Sequence, residues 1–416
     1  VGGPGLGADF RRLWSAGAVS HLGDGMHLAA LPLLAATLTR DPVQVAVVVA
    51  AGWVPWLLLG PVSGALADRW DRLRTMVVAD GIRCAVLIAV AVAMWTRTVS
   101  VGVLVAAAFL LGAAQTSFDS AGQAVLPAVV GRDAARLTRA NSRTAAAQTV
   151  GRELAGPPLG GALFAVAPVL PVLLNALSFL LSAGLVRRIR RPARPVPPPG
   201  PGGARGLRTE VAEGVRWLLG NRVVLAMVVV VGLSNAAWLC AESVLVLFAQ
   251  DRLGLDGWWF GVLLAAPAVG ALPGAALAGV VARRVPVGRV LVGGVLGQAG
   301  VLGGIGVATD PLVVAGLLAV GGLLITTWNV VQAAQRQLIV PDAVVGRVVA
   351  SGRVVAYGAA PVGALLGGLV AQRGGVAAPF PVACAIMVVA ALVAARHLGS
   401  AAVARARAEA AGPPAG

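Results

Sequence analysis

Two stretches limit what this chain can become: "VVVAAGWVPWLLLGPVSGALA" from Val47 to Ala67, and "PVLPVLLNALSFLLSAGLV" from Pro168 to Val186. Each has about the 20 apolar residues an α-helix needs to cross a ~30 Å hydrocarbon core. Such runs recur along all 416 residues, of which 12% are charged and 58% hydrophobic. A soluble chain of this size carries roughly twice that share of charge. The chain therefore reads as an all-α integral membrane protein whose backbone polar groups are satisfied within helices.

Apolar runs and their breaks give twelve expected spans. The first six are 14–38, 43–67, 73–96, 100–123, 143–166 and 168–188. The second six are 223–249, 257–282, 288–308, 311–334, 351–372 and 377–398. This divides the chain into a six-helix half (1–188), a polar linker (189–222), a second half (223–400) and a tail (401–416) expected to be disordered. The linker's end, Arg208–Leu219, has the pattern of an amphipathic helix at the membrane surface.

Charge sets the orientation. The net charge is +16 and, with no lysine, all 33 basic residues are arginines. Arg40, Arg97, Arg252 and Arg373 fall on one side, Arg83 and Arg152 lie within spans, and the other 27 share the opposite side. The arginine-rich side is read as cytoplasmic, with both termini and the linker. The basic balance reads as this topology signal rather than as a nucleic-acid footprint. Cys84, Cys240 and Cys384 are isolated within apolar runs and read as core residues. Neither a metal nor another cofactor is expected.

The halves repeat each other at an offset of about 210 residues: "GPPLGGALF" in the fifth helix answers to "APVGALLGGLV" in the eleventh. Gly60/Gly64, Gly156/Gly160, Gly270/Gly274 and Gly363/Gly367 place G-x-x-x-G pairs in helices two, five, eight and eleven. Small residues four apart let helices approach closely in lipid. Their return at every third helix suggests three-helix units with these members at one shared interface, as in transporters built from repeats.

The stretch "GALADRWDRLR" resembles the signature loop of the major facilitator superfamily, with Gly64, Leu66, Asp68, Arg69 and Arg72 matching. Asp71 and Leu73 depart from it, and Arg74 is the next residue. "HLGD", "DGIR", "LNALSFLLSA" and "RQLIVPDAVVGRV" are similar to the branch containing enterobactin and macrolide exporters. The resemblance implies two pseudo-symmetric six-helix halves, alternating access, and a conformational latch at Asp68, Arg69 and Arg72. Gly156, Pro157, Gly160 and Gly161 resemble the helix-five signature of antiporters, with Arg152 where that signature has a glycine.

Ionisable groups within a span cost ~2.5–3.5 kcal/mol each at a helix centre, so those present should face protein or water. His21, Asp24 and His27 share one broad face of helix one, either as a hydrogen-bonded cluster or as a coupling site. Asp80 and Arg83 are three apart and read as a structural ion pair. Arg152 and Glu153 project about 100° apart and cannot simply neutralise each other. The reading makes Glu153 cavity-facing and Arg152 structural. Proton-coupling candidates are thus Glu153, Asp24, His21 and Glu242. Candidates for cargo contact are Gln115, Asn235, Trp238, Trp328, Asn329, Gln332 and Tyr357.

The expected function is proton-driven export of a small organic molecule by a monomer in a bacterial cytoplasmic membrane. An importer on the same fold and a non-transporting receptor or scaffold are the alternatives. A chain without lysine has no P-loop lysine, and no H-E-x-x-H motif is present, which argues against ATP-driven or metalloenzyme chemistry.

Overall fold

The structure is a computed structural model describing residues 6–69, 71–131, 133–190, 214–341 and 345–411; the side chains of 60–69, 345–347, 349–351, 353 and 411 are outside that description. The helices are α1 (Ala8–Leu38), α2 (Pro42–Arg69), α3 (Arg72–Trp95), α4 (Val101–Val130), α5, α6 (Val169–Arg187), α7 (Arg222–Glu242), α8 (Gly257–Arg284), α9 (Val287–Val307), α10 (Pro311–Ile339), α11 (Val345–Gly374), α12 (Pro379–His397) and α13 (Ser400–Ala411). Helix α5 is continuous but in three pieces: Ala134–Gln148, a π-helical Thr149–Ala155, and Gly156–Val166.

The breaks reflect local chemistry. Ser100, Asp133, Asn221 and Asp310 each accept a backbone N–H in the first turn of the next helix, satisfying donors that have no intrahelical partner. Gly131 (φ 85°) and Gly375 (φ 83°) come after α4 and α11 in a backbone conformation that costs a side-chain-bearing residue energy.

Ten helices are long and apolar enough to cross a membrane among the described residues. The other two expected spans, α1 and α5, are also helical. They fall short because α1 carries His21, Asp24 and His27 mid-length and α5 opens on the polar Ala134–Gln148. The expected surface helix is seen only as 214–220, since 208–213 lie outside the described residues.

The tail corrects an expectation. Ser400–Ala411 is helical, with Val403 and Ala406 buried. Its Ser400 Oγ accepts from Gly288 N at 3.1 Å, and Arg407 donates to Gln335 at the end of α10. Alanine and arginine are strong helix formers, and the docked face supplies the burial a short helix needs.

The chain forms two compact units. Unit 1 is Val1–Arg40, Ala51–Pro199 and Leu255–Ala265; unit 2 is Asp41–Ala50, Gly200–Gly254 and Ala266–Gly416. The start of α8 therefore belongs with α1–α6, and the start of α2 with the later helices.

Glycine doublets explain both assignments and correct the single shared interface expected from the repeat. In α5, Gly156 and Gly160 seat against Gly25 and Met26 of α1, while Gly161 faces Gly257 of α8. In α11, Gly363 and Gly367 seat against Ala236 and Cys240 of α7, while Gly368 faces Pro42 and Val43 of α2. Gly270 and Gly274 meet Ala319 and Leu323 of α10. The G-x-x-x-G stripe thus meets the first or fourth helix of its own half. The next glycine, about 100° round the helix, makes the α5–α8 or α2–α11 contact. The packing of Gly60 and Gly64 lies outside the described residues.

Candidate functional site: a buried charge network on α1

The stretch "HLGDGMH" of α1 presents successive residues to different neighbours. Gly23 lets Asn175 and Ser178 of α6 approach the backbone. Gly25 does the same for α5: a methyl there would lie 2.6 Å from Gly151 O, 2.7 Å from Arg152 O and 2.8 Å from Gly156 Cα. Between them Asp24 points toward Arg83, its Oδ2 3.9 Å from Nη1.

Arg83 of α3 is the hub. It is 1% exposed, donates to Asp80 Oδ1 and Gln115 Oε1, and its guanidinium lies 4.4 Å and 4.2 Å from the ring centres of Phe118 and Phe179. Stacking on two aromatic faces compensates a weakly hydrated cation for lost water. Asp80 is fully buried, as the carboxylate directly paired with it must be. Gln115 passes the chain on, donating from Nε2 to Asp119 Oδ1 at 3.0 Å. Its amide is thus committed to α3 and α4 rather than facing cargo.

The π turn in α5 has an identifiable cause. Pro157 and Pro158 have no N–H to give the carbonyls four residues earlier, so the helix loosens just before them. Gly156 N–H bonds to Gly151 O, five residues back. One extra residue in a turn rotates the residues before it by about 100° relative to those after it. On this turn Arg152 is half-buried and Glu153 is exposed.

The other sequence candidates are dispersed. In unit 2, Trp328 is 3% exposed and its indole N–H donates to Leu291 O at 3.0 Å, binding α10 to α9. Asn235 donates to Ala356 O at 2.8 Å, binding α7 to α11. Gln332 is buried; Trp238, Tyr357 and Glu242 are half-buried; Asn329 is exposed. Of the latch residues, Arg72 donates to Ala124 O at 2.9 Å, tying the start of α3 to the last turns of α4. The side chains of Asp68 and Arg69 lie outside the described residues.

Sequence reasoning missed the part that α6 and the two rings play beside this cluster. Asn175, Ser178 and Ser182, at i, i+3 and i+7, form a buried polar stripe with Phe179 beside it. Three polar residues at helical spacing in an apolar span are a readable signal.

Known proteins share this architecture. The sequence model of the major facilitator family described as "Transmembrane secretion effector" matches residues 6–410. The multidrug efflux pump Tap of Mycobacterium tuberculosis is 28% identical over 388 residues, covering 90% of this chain and 91% of Tap. Among solved structures, a bacterial homologue of the iron transporter ferroportin in an inward-facing state superposes with a TM-score of 0.76 at 18% identity, covering 93% of this chain and 98% of that one. The nucleoside transporter NupG gives 0.75 at 11% identity, covering 93% and 99%. At those identities the two structures speak for the fold. Twelve helices in repeated sixes, doublet glycines at the crossings and a sequence match over nearly the whole length converge: the chain is a multi-pass membrane transporter and belongs to the transmembrane secretion effector family of the major facilitator superfamily.

Proposed function

We propose that the protein exports a small amphipathic organic molecule across a bacterial cytoplasmic membrane by alternating access, driven by inward proton movement. The observation that carries this reading is the set of ionisable groups inside unit 1, with Asp80 and Arg83 of α3 buried and Asp24 of α1 and Asp119 of α4 half-buried beside them. Ion pairs in an apolar bundle are expensive compared with apolar packing of the same volume, so their presence calls for work that needs charge. Likeness to a multidrug efflux pump over nine-tenths of the chain supports the outward direction. The arginine asymmetry supports cytoplasmic termini.

Everted vesicles containing the purified protein, given an inside-acid gradient, should accumulate ethidium, and accumulation should collapse when the gradient is dissipated. Accumulation only in right-side-out vesicles would mean import on the same fold. No gradient-dependent movement in either orientation would reject this reading for a cationic amphipathic probe. In a cysteine-free background, a cysteine at Asp256 should react with an impermeant maleimide from outside and one at Gly200 only after permeabilisation; equal labelling of both overturns the topology.

A further inference from the structure

We infer that the tail helix α13 is the latch of unit 2, in which Ser400 and Arg407 tie α9 to α10. Its part in transport rests on the alternating-access reading above, whereas the clasp itself rests on geometry alone.

The two halves supply the same pair of contacts from different parts of the chain. In unit 1, Asp71 precedes α3, and its side chain accepts from Arg74 N at 3.1 Å. Beside it, Arg72 donates to Ala124 O in the last turns of α4 at 2.9 Å. One helix start is thereby capped and tied to the end of its neighbour. In unit 2 the residue before α9 is Pro286, whose side chain can accept nothing. Ser400 takes over that task, its Oγ accepting from Gly288 N at 3.1 Å. Two turns further along α13, Arg407 donates to Gln335 in the last turns of α10. The repeat offset of about 210 residues sets Ala124 opposite Ala334, the neighbour of Gln335. The two arginines therefore reach matching places on α4 and α10.

Helix α9 is shaped to receive the tail. A methyl on Gly288 would lie 2.3 Å from Ser400 N and 2.8 Å from Gly399 C. Glycine there leaves room for the tail's backbone to lie against the first turn of α9. Leu398, just before, is fully buried and fixes where the chain leaves α12. Ser400, Val403, Ala406 and Arg407 then fall at i, i+3, i+6 and i+7, on one face of α13.

The clasp is weak enough to open. Helix α13 has 12 residues, a length at which an isolated helix is marginal in water. Of residues 400–410 only Val403 and Ala406 are buried, and both are small. The Nε of Arg407 is buried without a partner, a cost that water relieves once the helix lifts. A latch must hold in one conformation and release in the other, and a lightly docked helix does both.

The test uses the full chain in nanodiscs, with Cys84, Cys240 and Cys384 replaced by alanine. Spin labels go on Arg289→Cys and Leu338→Cys, two exposed positions near the ends that the tail ties together. Two variants release the tail from opposite sides. Val403→Asp puts a charge in its buried face, and Gly288→Ala puts a methyl against its backbone. Ala404→Asp, on the exposed face, is the control. Both release variants should broaden the distribution of distances between the labels. Both should also slow the initial ethidium accumulation several-fold in vesicles given an inside-acid gradient. The control should match the parent chain in each measurement. Distances unchanged in both release variants, or changed equally in the control, overturn the clasp. Broadened distances with an unchanged rate overturn the latch role. If Val403→Asp does not fold, Gly288→Ala carries both measurements. A parent chain that moves no ethidium counts against the exporter reading instead, and the distances still decide whether α13 fastens α9 to α10.

Discussion

Arg83 in unit 1 and Trp328 in unit 2 are both large polar side chains sealed inside apolar helix bundles, at 1% and 3% exposure. Arg83 is satisfied by other side chains: Asp80, Gln115 and two aromatic rings. Trp328 is satisfied by a backbone carbonyl on the neighbouring helix. The difference extends through both units. Unit 2 fastens its helices with neutral donors to backbone carbonyls: Asn235 to Ala356, Ser243 to Ala364, Gln298 to Gly321 and Thr327 to Gly274. Such bonds hold helices together and are indifferent to pH. The charged contacts of unit 1 depend on protonation. Glycine crossings of one pattern are furnished in two ways, with an ion pair at the centre of one unit and neutral side-chain-to-backbone bonds in the other.

The largest effect should come from breaking the hub. Arg83→Ala leaves Asp80 buried without its cation, a change that costs about 3–5 kcal/mol. Replacing Arg83 by Met together with Asp80 by Leu should recover most of that stability while abolishing gradient-driven transport. In unit 2, Gln298→Leu removes one neutral hydrogen bond and should cost about 1 kcal/mol. Thermal unfolding in detergent measures all three. Similar losses for Arg83→Ala and Gln298→Leu would mean the two units are stabilised alike.

A second comparison sets Gly25 against Gly363, which occupy matched crossings: α1 with α5, and α7 with α11. Valine at either site meets backbone rather than a flexible side chain, so each should lose about 1–3 kcal/mol by overpacking. Gly25→Val should also slow ethidium accumulation, because that crossing flanks Asp24 and its contact with Arg83. Equal slowing by both would make the crossings, not the charges, the element that sets turnover.

Much of the fold was legible because membrane spans are written in long runs. All twelve expected spans are helical, and the doublet glycines were visible as a repeat. The repeat did not tell which helix each glycine would meet: Gly160 and Gly161 are neighbours in sequence yet face α1 and α8. The tail was misjudged because composition alone does not reveal that Val403 finds a surface to cover. At the site, Asp80 and Arg83 were readable from spacing, but their meeting with Asp24 and Gln115 is tertiary. The phase of Arg152 and Glu153 was out of reach for a related reason. A uniform 3.6-residue turn does not anticipate the π turn that precedes Pro157 and Pro158.

The smallest effect should come from Trp328, and it separates two readings of that residue. Its sequence position suggested cargo contact; in the structure its indole packs at Gly294 and donates to Leu291 O. Glycine at 294 fits this role, because a methyl there would lie 3.0 Å from the indole Cδ1. Trp328→Phe keeps a ring in that space and deletes the donor. A neutral hydrogen bond contributes about 0.5–1.5 kcal/mol, and those between membrane helices fall toward the lower end. A small loss of stability with an unchanged rate of ethidium accumulation is therefore expected. Unfolding curves and vesicle uptake on the same preparation provide the measurement. Unchanged stability with strongly reduced uptake would return Trp328 to the cargo path and place a recognition element in unit 2.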